Sequence, residues 1–202
     1  MVTSHVVRGY GLLDFFLAKQ RYKIAKRQIR LAKKNGRILD IGCGLEALFL
    51  ANLDFSEKYG LDRDIETAVK DRAKQQGIIL ICFDIEKGEN LPFEDDFFDV
   101  VSMLAVFEHI EPQHLVRLHK EIYRVLKPGG MYVMTTPAAW TGPLLRLLAK
   151  LHLISDVPIS EHKGSYSHSM ISSVLQEADF QQDKLRLGYF ELFMNTWATA
   201  TK

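Results

Sequence analysis

The sequence predicts an α/β domain built on a mostly parallel sheet covered by helices on both faces, and two observations predict it. Short apolar runs at 37–41, 78–84, 97–104 and 131–136, with a further strand ending at Leu61-Asp62, alternate with stretches of helical periodicity. Three of the first four strands also end in acids or glycines, the punctuation that ligand-binding strand ends carry in open α/β sheets. The length of 202 residues suits one core, and 47% hydrophobic with 25% charged residues is ordinary globular usage. A single domain over 1–202 is therefore expected.

The elements follow in order. Residues 12–34 place Leu13, Phe16, Leu17, Ile24 and Ile29 at helical spacing and stop near Asn35-Gly36, giving an N-terminal helical cover over 1–35. Arg37-Ile38-Leu39-Asp40-Ile41 reads as a buried parallel strand closed by glycines, and Leu45 to Leu53 as a short helix. A helix over 64–76 stops at Gly77, and Ile78 to Asp84 is the third strand. Phe97 to Leu104 is the fourth, and a helix over 112–126 is halted by Lys127-Pro128-Gly129-Gly130 before the fifth strand, Met131 to Thr136. Apolar helical character returns over 139–153, and Ser169 to Ala178 is a last helix. The tail from Gln181 to Thr201, broken near Met194-Asn195, reads as a pair of strands at an antiparallel edge, which brings the sheet to seven strands.

Charge and cysteine usage narrow the function. A formal net charge of +1 argues against a protein built to neutralise nucleic-acid phosphates. The two cysteines, Cys43 and Cys82, have no zinc-type spacing and fit reduced thiols in a cytoplasmic protein. No signal peptide is read, and no apolar run reaches the roughly 18 residues of a membrane span.

The chemistry-bearing residues gather at the strand ends. Asp40-Ile41-Gly42-Cys43-Gly44 closes the first strand, where glycines let the backbone turn tightly against a ligand and Asp40 adds a fixed negative charge. Asp62, followed by Arg63, lies 22 residues after Asp40 and ends the second strand, where a carboxylate accepts from both hydroxyls of a ribose. Asp84 ends the third and offers an acceptor to an adenine amine, with the amide of Ile85 against the adjacent ring nitrogen. Each has a plainer reading: a tight turn for the glycines, a helix N-cap for Asp62, the start of a solvated loop for Asp84.

With ILDIGCG (38–44), GLD (60–62), LPFEDDFFDVVS (91–102), EHI (108–110), EIYRVLKPGG (121–130) and TTP (135–137) in order, the sequence resembles the class I S-adenosylmethionine-dependent methyltransferases. The resemblance lies with the broad group that includes the ubiquinone- and menaquinone-pathway enzymes. It spans residues 36–137 and continues more weakly through VLQEADF (174–180). It implies a Rossmann-like fold with S-adenosyl-L-methionine as cofactor: Gly42 and Gly44 at its amino-acid part with Asp40 and Cys43 in the same loop, Asp62 and Arg63 at the ribose, Asp84 and Ile85 at the adenine, and Leu104 beside the methionine. The family's third loop glycine is replaced here by Glu46.

His109, just past the fourth strand, is the candidate base for a hydroxyl acceptor, because an imidazole is poised near neutral pH; a structural histidine is the plainer reading. Glu161, His162 and His168 match no metal template and read as solvated loop residues, so no metal is expected. Tyr166 is a substrate-side candidate, and Met103, Met131 and Met134 are core. Eight basic residues (Lys19, Arg21, Lys23, Lys26, Arg27, Arg30, Lys33, Lys34) occupy 19–34 without an acid. They form either a solvated face or a peripheral contact with anionic lipid. With PLLRLLAKLHL (143–153), inside a substrate-lid insertion over 138–168, they favour a small hydrophobic acceptor over nucleic acid. Monomer or weak homodimer is the expected assembly. Two rivals stand: a nicotinamide dehydrogenase, because Gly42 to Ala47 satisfies GxGxxA, and a binding protein of the same fold that lost catalysis.

Overall fold

A computed structural model of the chain describes residues 14–29, 36–44, 47–142 and 163–202. Its elements are α1 (Asp14–Ile29), β1 (Arg37–Ile41), α2 (Leu48–Ala51), β2 (Glu57–Asp62), α3 (Thr67–Gln75), β3 (Ile78–Cys82), β4 (Phe98–Leu104), α4 (Pro112–Val125), β5 (Leu126–Pro137), α5 (His168–Glu177), β6 (Arg186–Phe190) and β7 (Asn195–Thr201). The seven strands form one sheet in the order β3-β2-β1-β4-β5-β7-β6. β1 to β5 pair in parallel. β7 is antiparallel to both β5 and β6, so the antiparallel strand sits one place in from the edge and β6 closes the sheet. The Rossmann-like class is as expected.

Local chemistry explains the elements. α4 starts on Pro112, whose missing N–H falls where no helical partner exists, and buries Leu115, Leu118, Ile122 and Val125 along one stripe. α5 is capped by Ser167, whose hydroxyl accepts from the amide of Met170 at 3.3 Å. Two apolar layers result. Ala25 and Ile29 of α1, Phe49 and Leu50 of α2 and Val69 and Ala73 of α3 pack on one face against Ile38, Val100 and Val133. α4 and α5 cover the other face over Leu39, Val101, Tyr132 and Met134.

Several boundaries differ from expectation. α2 and α3 are shorter than the 45–53 and 64–76 helices, and β3 stops at Cys82, because the Asp84 carboxylate turns the chain by accepting from the amides of Glu86 and Lys87. β5 begins at Leu126, the last residue of the expected 112–126 helix, and runs through the expected Lys127-Pro128-Gly129-Gly130 stop, since Leu126 already pairs with Phe98 and the chain then crosses Gly129 at φ 76°. Phe16, expected on the buried stripe of α1, is exposed. The expected 139–153 helix begins only as a single 3-10 turn, Ala139–Thr141, and its remainder lies outside the described residues, as do Arg30, Lys33, Lys34, Glu46, Glu161 and His162.

The fold also fixes where a ligand goes. Strand order reverses between β1 and β4, so the crevice of this sheet lies beyond the carboxyl ends of those two strands.

Candidate functional site

Gly42 and Gly44 leave β1 with φ of 71° and 70°, a left-handed conformation that favours glycine. A Cβ on Gly42 would lie 2.3 Å from Cγ2 of Val106, whereas one on Gly44 would meet no atom within 4 Å. The loop therefore packs tightly on its β4 side and presents bare backbone to open space at Gly44. The amides of Gly42 and Cys43 donate to the carbonyl of Leu61 at 2.8 and 3.1 Å, tying the loop to β2. Cys43 is buried, and that burial pushes its thiol above the ordinary range, so it is a packing residue of the loop.

Asp62 completes this loop from the end of β2. Its Oδ2 accepts from the amide of Gly44 at 2.9 Å and its Oδ1 from the amide of Asp64 at 3.3 Å, while α3 is capped at Glu66. Asp62 is thus not the N-cap of the next helix. Arg63 is exposed, with Nε 3.4 Å from the Asp64 carboxylate.

Asp40 lies beneath the loop and is only 3% exposed. Burial pushes its carboxyl up from 3.8 to about 7, with the charge of Asp62 adding to the rise, although Ser102 Oγ donates to Oδ1 at 2.6 Å. The expectation of a fixed negative charge is therefore corrected: near neutral pH Asp40 exchanges a proton.

The loop after β3 is built around Asp84 and Arg117. Burial raises the Asp84 carboxyl, but the Lys87 side chain and the amides of Glu86 and Lys87 outweigh it and hold the group below its usual range. The Arg117 guanidinium of α4 donates to four carbonyls of the same loop: Ile85 at 3.1 Å, Glu86 at 3.0 Å, Glu89 at 3.0 Å and Gly88. Motif reading did not single out Arg117. It sits one helical turn from both His114 and Glu121, and only the fold brings it under residues 85–89.

Leu104 ends β4 half-buried against the apolar layer that holds α1. The chain turns at Ala105, φ 55°, into a 3-10 turn of Phe107 to His109, where the His109 amide donates to Val106 O at 2.9 Å. The turn therefore carries His109, half-buried, beyond the end of β4. Its neighbour Glu108 was missed by sequence reading and is nearly wholly buried. Oε2 accepts from Thr136 Oγ1 at 3.0 Å. Burial raises the Glu108 carboxyl against the opposing charges of His109 and of Arg21 on α1. The cue available in the sequence was an acid set between Phe107 and Ile110 in the EHI segment. Tyr166 is buried edge-on to Phe107, ring centroids 4.7 Å apart, and bridges to Ala138. His168 opens α5 and stacks on Tyr189, and no acid, histidine and cysteine group suited to a metal occurs among the described residues. Met103 and Met134 are core, and Met131 is half-buried.

The structure thus gathers Asp40, Gly42, Cys43, Gly44 and Asp62 in one hydrogen-bonded unit at the switch point, with Leu104 at the end of the adjoining strand, His109 on the turn beyond it, and Asp84 and Ile85 on the outer loop. A surface hollow lined by Pro92, Phe93, Glu94 and Phe97 lies at the opposite, amino end of β4.

Comparison with known proteins agrees with this geometry. The family described as Methyltransferase domain matches residues 39–134, the span from the middle of β1 to β5. A demethylmenaquinone methyltransferase of Staphylococcus epidermidis is 28% identical over 173 residues, covering 78% of this chain and 68% of the relative. An S-adenosylmethionine-dependent methyltransferase of Mesorhizobium loti superposes with a TM-score of 0.67 at 19% identity, covering 90% of this chain and 98% of that one. The phosphoethanolamine N-methyltransferase 2 of Haemonchus contortus, solved with S-adenosyl-L-methionine, gives a TM-score of 0.67 at 16% identity over 91% of this chain and 52% of that one. The strand order and the switch-point loop stand beside a match to the Methyltransferase domain over residues 39–134, and the fold is that of the S-adenosylmethionine-dependent methyltransferases to which the chain is similar.

Proposed function

We propose that the chain methylates a small, hydrophobic acceptor, with S-adenosylmethionine in the switch-point crevice and the acceptor above the ends of β4 and β5. The observation that carries the cofactor half is the Gly42 to Gly44 loop held to Asp62 at 2.9 Å, with open space where a Gly44 side chain would be. The residues present fit the cofactor. Bare loop backbone and the Asp40 carboxylate suit its ammonium-bearing end, Asp62 with Arg63 the ribose, and Asp84 with Ile85 the adenine. Leu104 lines the methionine portion.

S-adenosylmethionine supplies a methyl group on a sulfonium, a donor already reactive enough that alignment provides most of the acceleration. The chain's task is then to orient the acceptor, exclude water and accept a proton. His109, at the rim of β4, is the group we assign to hold the proton of a hydroxyl acceptor. An apolar acceptor is supported by the exposed Trp140, Leu192 and Phe193 beyond the carboxyl end of β5, and by the quinone named for the staphylococcal relatives. The expected cover over 1–35 and lid over 138–168 fall largely outside the described residues. The exposed Lys19, Lys23, Lys26 and Arg27 of α1 favour peripheral contact with an anionic membrane, a source of such acceptors. No helix among the described residues is long and apolar enough to cross a membrane.

The test is calorimetric titration with S-adenosylmethionine and S-adenosylhomocysteine, repeated on Asp62→Ala, followed by an acceptor screen beginning with quinone precursors. Loss of both the ribose contact and the Gly44 tether should weaken binding roughly a hundredfold or more. Unchanged affinity in the variant would remove Asp62 from the site, and turnover on polar acceptors alone would overturn the hydrophobic half of the reading.

A further inference from the structure

The β6-β7 hairpin carries a group that the methyl-transfer reading has not used. Glu191, Leu192 and Phe193 follow one another at φ 50°, 54° and 67°, three consecutive non-glycine residues in the left-handed region. Such strain persists only where surrounding contacts over-determine it. Here they do. The Met194 amide donates to Glu191 O at 3.1 Å, the Ala138 amide to Met194 O at 2.9 Å, and Trp140 Nε1 to Phe193 O at 3.1 Å. The hairpin tip is thereby pinned just beyond the carboxyl end of β5.

The Glu191 side chain is held on one oxygen, where Asn195 Nδ2 donates to Oε2, while Oε1 is closed off from solvent and is without a donor among the described residues. A shielded carboxylate oxygen without a donor is costly, and native structures keep one where a ligand supplies the donor. On β5, Thr135 stands in register with Leu104 at the end of β4, and its buried hydroxyl also lacks a partner among the described residues. α1 packs against β4, β5 and β7, and the charge of its Arg21 acts on Glu108 and on Glu191 alike.

Resting on the acceptor reading above, we infer that Glu191 is an acceptor-binding residue whose free carboxylate oxygen receives the O–H of a neutral, hydroxyl-bearing apolar molecule. A hydroxyl suits the site better than an ammonium, because the guanidinium of Arg21 already offsets the acid and would repel a second cation. Trp140, Leu192 and Phe193, 56%, 87% and 66% exposed around the same tip, provide the apolar surface for the rest of the molecule.

The experiment uses the full chain saturated with S-adenosylhomocysteine and compares naphthol, its methyl ether and naphthalene by calorimetry. In the parent protein naphthol should bind roughly tenfold more tightly than the ether, the effect of one charge-assisted hydrogen bond. Glu191→Leu should erase that preference while leaving naphthalene binding in place. Glu191→Gln, which keeps an oxygen acceptor, should retain most of it, and serves as the deciding variant should the leucine form fail to bind S-adenosylhomocysteine. A preference that survives in Glu191→Leu, or is lacking in the parent protein, overturns the inference while the hydrophobic-acceptor reading stands. Failure of all three aromatics to bind the loaded protein overturns that reading and this inference with it.

Discussion

At the scale of single residues, the proposed cofactor site makes the protonation of Asp40 a testable link between fold and affinity. An acid held at about 7 by burial is partly protonated at neutral pH, and a cofactor bearing an ammonium and a sulfonium favours its ionised form. Binding of S-adenosylmethionine should therefore tighten as pH rises through about 7 and release a proton below it. Calorimetry in buffers of different ionisation enthalpy checks this, and in Asp40→Asn both the pH slope and the proton release should vanish. Motif reading located Asp40 and misjudged its charge, since no sequence pattern reports that Ser102 and the loop above seal the carboxylate from water. The burial of Glu108 and of Glu191 escaped motif reading for the same reason: their environments come from β5, β7 and α1.

At the scale of elements, the loop after β3, proposed to meet the adenine, is held by a neighbour 28 to 32 residues further along the chain. The Arg117 guanidinium gathers the carbonyls of Ile85, Glu86, Gly88 and Glu89, and no other residue type provides so many donors in one rigid plane. Arg117→Lys should leave the loop under-tethered and weaken S-adenosylhomocysteine binding by roughly tenfold, with little change in thermal midpoint. Hydrogen exchange should rise at residues 84–89 and stay unchanged in β1 and β2. Equal loosening throughout the sheet would show instead a general loss of packing. The same loop is joined to the chain that enters α5, since Lys163 Nζ lies 3.2 Å from both the Glu86 and Glu111 carboxylates and its amide donates to Glu108 O at 2.8 Å.

Across the whole molecule, stability carries its own pH signature. His119 is buried between Leu115 O at 2.7 Å and Tyr132 OH at 3.0 Å, and burial pushes its pKa down to about 4 from 6.5. The unfolded chain takes up that proton below about 6.5 while the folded one does not, so the stability His119 contributes is lost as pH falls towards about 4. Asp40 acts in the opposite sense. Its folded pKa lies above the unfolded one, so its contribution is present at low pH and lost as pH rises from 3.8 through about 7. The difference in denaturation free energy between the parent protein and His119→Gln should therefore shrink by up to about 3 kcal/mol between neutral pH and about pH 4.5. A difference constant with pH would mean that His119 titrates normally in the fold.

The sequence by itself determined the order and type of most elements, the class of fold and the positions of the loops proposed to hold the cofactor. These are local properties: period-2 and period-3.6 patterning, glycines where φ is positive, and acids where strands end. Tertiary structure decided what depends on neighbours remote in the chain. It inserted β7 between β5 and β6, began β5 at Leu126 because Phe98 was there to pair with it, and left Phe16 exposed. It also turned Asp40 from a fixed charge into a group that titrates near neutrality, set Arg117 beneath the loop after β3, and brought Glu191 to the ends of β4 and β5. Desolvation and hydrogen bonding arise between segments that meet only in the folded chain, and those forces set the electrostatics of the site.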